Sequence, residues 1–82
     1  LSWEEQKRRD AEKRKLEKEI EKLEKLISEA EEKKSELENQ MSNPEVYSNG
    51  EKAKSVQQSL DGINLELDNL SQQWEVLVEK LS

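Results

Sequence analysis

The stretch MSNPEVYSNGE, Met41 to Glu51, holds the only proline of the chain and one of its two glycines. Pro44 has no backbone N–H and pushes Asn43 away from helical geometry, so a helix arriving from the N-terminal side must stop there. Asn49-Gly50 tolerates positive φ, and Ser48 with Glu51 has the spacing of a capping box, so a second helix is expected to start at about residue 51. Everything on either side of this break is helical in pattern.

Before the break, apolar residues fall at Leu16, Ile20, Leu23, Ile27, Ala30, Leu37 and Met41, with Lys34 at the one position that interrupts the alternation of fours and threes. After it, Ala53, Val56, Leu60, Ile63, Leu67, Leu70, Trp74, Leu77 and Leu81 alternate threes and fours without interruption. Both are heptad seams. At the front, Ser2 and Glu5 repeat the capping spacing and set the start of the first helix near Trp3. The reading is one all-α domain over residues 1–82, an antiparallel two-helix coiled-coil hairpin with helix one over about 3–41, a turn over 42–50 and helix two over about 51–81.

In an antiparallel coiled coil of this kind, residue numbers across the seam sum to about 97 if Met41 meets Val56 and Leu16 meets Leu81. Lys34 then faces Ile63, with its aliphatic stem over the seam and its ammonium in water. Ser82 faces Lys15, so the residues before Lys15 project past the end of helix two with nothing to pack against.

That projecting end is basic. Residues 7–15, KRRDAEKRK, hold six of the fourteen Lys and Arg residues, although the chain carries a net charge of −6. The remaining residues have eight basic and eighteen acidic side chains (14 − 6 and 20 − 2), so a polyanion is expected to meet the molecule from one end or one side. The candidate nucleic-acid-binding residues are Lys7, Arg8, Arg9, Lys13, Arg14 and Lys15, acting by phosphate neutralisation. In helical projection Arg9 and Lys13 continue the line of the seam, and Lys7, Arg8, Arg14 and Lys15 gather on the opposite side.

Composition limits the alternatives. With 30% hydrophobic and 41% charged residues the chain cannot wrap a thick core, and the regular apolar spacing argues against disorder. Histidine and cysteine are absent, which removes disulfides, thiolate metal sites and bundle-type di-iron sites with Glu-x-x-His pairs. No phosphate loop of the G-x-x-x-x-G-K-[ST] form occurs, and the carboxylates sit on solvated faces with no pocket to shift them. No catalytic residue, cofactor or metal is expected. No apolar run approaches the ~20 residues of a membrane span, which leads to the expectation of a cytoplasmic location. Trp3 lies off the seam and is expected to pack on a partner outside the hairpin; Trp74 reads as core, and Val46 and Tyr47 as the cap of the tip.

Three stretches together resemble the C-terminal coiled-coil domain of ABC-F ATPases, especially the Uup-type members. Leu1-Ser2-Trp3-Glu4-Glu5-Gln6-Lys7 is similar to that domain's L-S-aromatic-x-E-Q-basic opening, Asn43-Pro44-Glu45-Val46-Tyr47 to its Asp-Pro-x-hydrophobic-Tyr turn, and Trp74-Glu75-Val76-Leu77 to its W-E-x-L segment. The resemblance implies a tail domain of a protein with two ATP-binding cassettes and no membrane-spanning part, with DNA or ribosomal RNA as partner beside the parent ATPase domains. It implies no ATPase activity in these residues themselves. The alternative is a structural or protein-interaction coiled coil that self-associates.

Overall fold

A computed structural model describes residues 2–82; Leu1, the first residue of the opening motif, lies outside the described residues. Helix α1 runs from Trp3 to Met41. Ser2 holds extended geometry and its hydroxyl accepts the Glu5 backbone N–H at 3.3 Å, while Glu4 and Glu5 place negative charge against the positive end of the helix. No glycine or proline interrupts the 39 residues of this helix.

The break at Pro44 is built as a short helical turn, α2, over Pro44–Tyr47. Asn43 adopts φ −77°, ψ 123°, the extended geometry that a following proline requires, and its Oδ1 accepts the Glu45 N–H at 3.0 Å. Helix α3 then runs from Gly50 to Leu81. Its cap is Asn49, whose Oδ1 accepts the N–H groups of Glu51 at 3.1 Å and Lys52 at 3.2 Å.

This differs from the sequence reading in two respects. Ser48 does not cap α3; its hydroxyl donates to the Pro44 carbonyl and closes α2 instead. Gly50 is the first residue of α3, and no residue among those described has positive φ. The physical reason is that Asn caps a helix as well as Ser does, and the turn of α2 leaves Asn49 as the residue in extended geometry ahead of α3. Asn49→Ala is therefore expected to destabilise the hairpin by about 1 kcal/mol and Ser48→Ala by much less, measured as the shift in thermal midpoint followed by circular dichroism.

The half-buried and buried residues trace the two seams. In α1 they are Leu16, Ile20, Leu23, Ile27, Ala30, Lys34, Leu37 and Met41; in α3 the nine seam residues from Ala53 to Leu81 and, beside them, Val78. Leu23, Ala30, Val56, Leu60, Ile63 and Leu70 form the core cluster, and Val46 of α2 packs against it from the tip. Tyr47 stays exposed, so the cap of the tip is Val46 alone. Ile63 is only 6% exposed although the register sets Lys34 against it, and Lys34 itself is half-buried: its stem covers the seam in place of an apolar side chain.

The register is visible at the open end. Glu19 of α1 shares a surface recess with Asn69, Gln72, Gln73, Val76 and Leu77 of α3, and Lys80 of α3 shares another with Glu12, Lys15, Leu16 and Glu19 of α1, as the antiparallel arrangement requires. The result is an antiparallel helical hairpin measuring 67 × 14 × 14 Å, two helices thick and one core deep. Trp74 is packed against the core cluster, but its buried indole N–H has no hydrogen-bond partner in the described structure.

Candidate nucleic-acid interface

Every residue from Ser2 to Lys15 is exposed, and the first half-buried side chain is Leu16. The basic segment therefore sits on helix without a partner helix beside it. Stability of this part of α1 comes from its Ser2 cap, from continuity with the braced part beyond Leu16, and from local side-chain contacts. Lys7 Nζ lies 5.1 Å from the centre of the Trp3 ring, a cation–π contact between positions i and i+4. Arg14 Nε donates to the Asp10 carbonyl at 3.4 Å, which ties the side chain back along the helix. Trp3 is 75% exposed, so Lys7 covers part of one ring face and leaves most of the indole open.

The six candidate residues do not form one site. Trp3, Glu4, Lys7, Arg8 and Ala11 line one shallow recess, Ala11, Arg14, Lys15 and Lys18 line the next, and Lys15, Lys18, Lys22 and Lys25 line a third together with Glu19 and Glu21. The recesses share residues and follow one another along α1, and Lys15 also borders a recess with Lys80 of α3. Lys7, Arg8, Arg14 and Lys15 belong to this row. Arg9 and Lys13 do not: they lie near the continued line of the seam, on the opposite side of the overhang, as the helical repeat of 3.6 residues requires.

Lys18, Lys22 and Lys25 extend the row beyond the candidates named from sequence. In the linear sequence they are hidden among Glu17, Glu19, Glu21 and Glu24, which balance them in any short window. A helical projection separates the two signs in part: Glu17 and Glu24 fall on the flank, while Glu19 and Glu21 border the third recess beside the lysines.

Lysine and arginine side chains offer hydrogen-bond donors and positive charge without an acceptor, which suits phosphate oxygens and carries no base-reading pattern by itself. Among the described residues no cluster of acidic side chains is fit to hold a metal ion, and no helix is long and apolar enough to cross a membrane.

An antiparallel coiled-coil hairpin whose cationic row starts on an unpaired helical overhang defines an accessory helical module. The family model of the ABC transporter C-terminal domain matches residues 1–79, and the chain belongs to that family. No curated protein and no solved structure matches it.

Proposed function

We propose that this domain is the C-terminal coiled coil of an ABC-F ATPase of the Uup type and that it contacts the phosphate backbone of DNA or ribosomal RNA through its basic helical end. The observation that carries this reading is the complete exposure of residues 2–15, which hold six of the chain's fourteen basic side chains on helix that α3 does not cover. The contact is electrostatic and sequence-independent. The domain hydrolyses nothing itself; ATP turnover belongs to the parent ATPase domains, in the cytoplasm. Binding of labelled duplex DNA and of a ribosomal RNA fragment, followed by fluorescence anisotropy, tests the proposal: affinity is expected to fall steeply as salt rises. Salt-independent binding, or none to either polyanion at low salt, overturns it.

A second reading, a protein-interaction coiled coil that self-associates, is favoured by one face of α3. From Ser55 to Val78 the only charged residues are Asp61, Glu66, Asp68 and Glu75, and Leu65 and Val76 are 64% and 52% exposed. By contrast, 24 of the 39 residues of α1 are charged. Light scattering over a concentration range separates the readings: a stable dimer without polyanion affinity supports the second.

A further inference from the structure

The cationic row on α1 is longer than the overhang. We infer that the polyanion lies side-on along α1 from Lys7 to Lys25, and that the ligand is a double helix rather than a single strand. This rests on the proposed phosphate-contacting role and specifies its geometry and its ligand.

The row comprises Lys7, Arg8, Arg14, Lys15, Lys18, Lys22 and Lys25, and from Lys7 to Lys25 it covers 18 helical steps (25 − 7) of one uninterrupted helix, about 27 Å at 1.5 Å per step. Beyond Leu16 the helix is braced by α3, so this part of the row holds a fixed, nearly straight line. Its limits are set by charge. The next residues to project on the same side are Glu29, Glu32 and Glu36, which repel phosphate and end the contact before the tip. The far side of the rod is closed to phosphate as well, because the charged residues of α3 between Ser55 and Val78 are all acidic.

A rigid straight row selects for a rigid straight ligand. A double helix presents phosphates at fixed positions, one per about 1.7 Å of axis, so about 27 Å corresponds to about eight base pairs. A flexible single strand has to be drawn out along the row and loses conformational freedom in doing so. The recesses along the row are lined by no Asn or Gln, and their uncharged members are Trp3 and Ala11, so base identity is not read by amide pairs.

The experiment compares salt dependence for the 82-residue chain and two variants on duplex DNA, duplex RNA and a single strand. The variant K18Q/K22Q/K25Q removes three charges from the row; the control K52Q/K54Q removes two charges at the start of α3, far from the row, and circular dichroism establishes that each is folded. With seven contacts the slope of log affinity against log salt is expected near −6, and the row variant is expected to reduce its magnitude by about 3 and to bind on the order of a hundredfold more weakly. The control is expected to keep the wild-type slope, and the single strand to bind at least about tenfold more weakly than a duplex of equal length. An unchanged slope in the row variant, an equal loss in the control, or a single strand that binds as well as the duplex overturns the side-on, double-helical assignment while the phosphate-contacting reading stands. Wild-type chain that binds none of the three ligands removes both.

Discussion

Replacing Leu60 by aspartate unfolds the hairpin. Leu60 is 8% exposed at the centre of the core cluster, where it packs among residues of both long helices. Truncating a buried leucine costs about 2–5 kcal/mol, and a carboxylate left in the seam without a partner adds a desolvation penalty of several more. The hairpin has a single layer of core between two helices, so among the described residues no second cluster holds the helices together once this one opens. The far-ultraviolet circular dichroism of Leu60→Asp at room temperature is expected to show most of the helical signal lost. Leu65→Asp makes the same chemical change five residues on, at a side chain that is 64% exposed, and is expected to stay within about 0.5 kcal/mol of wild type. Equal damage from both changes would mean that the outer face of α3 is buried in solution.

The second large effect concerns binding. Reversing the charges of Lys7, Arg8, Arg14 and Lys15 to glutamate is expected to lower affinity for duplex DNA on the order of a thousandfold at 0.1 M salt. Four released counterions account for about that factor, and the new carboxylates add repulsion. Reversing Arg9 and Lys13, which lie on the other side of the overhang, is expected to weaken binding far less. Because residues 2–15 are exposed, neither set disturbs the core, and the thermal midpoint should move little. Indifference of the affinity to the fourfold reversal would defeat the electrostatic proposal.

The seams were readable because a heptad pattern reports burial directly. Each apolar residue from Leu16 to Met41 and from Ala53 to Leu81 that shares the seam spacing is half-buried or buried, and Lys34, the polar exception, is held in line by its stem. Pro44 marked the break for the same kind of reason, since a missing N–H and a steric restriction act locally. The cap of α3 was harder. Ser48 and Asn49 are adjacent and chemically suited to the same task, and the choice between them depends on where α2 ends, which spacing alone does not fix.

The cationic row was half legible. Lys7, Arg8, Arg14 and Lys15 stand out as a dense basic run, whereas Lys18, Lys22 and Lys25 are interleaved with glutamates and emerge only when residues are sorted by helical face. The bare indole N–H of Trp74 was not legible at all. A seam position shows that a tryptophan is packed, but whether its nitrogen finds an acceptor depends on ring orientation within that packing.

All of this depends on α1 and α3 lying back to back within one molecule. The chain contains no cysteine, so Glu19→Cys and Lys80→Cys give a doubly spin-labelled protein without further changes. Both positions border the recess beside Leu16 at the open end of the hairpin. Pulsed electron paramagnetic resonance on labelled chain diluted in unlabelled chain should give a short separation, about 10–25 Å once the label arms are added to a helix spacing of 8–10 Å. A continuous rod through Pro44 would instead place the two labels about 90 Å apart at 1.5 Å per residue. That long separation, or a short one that disappears on dilution, would contradict the hairpin and with it the exposed cationic overhang.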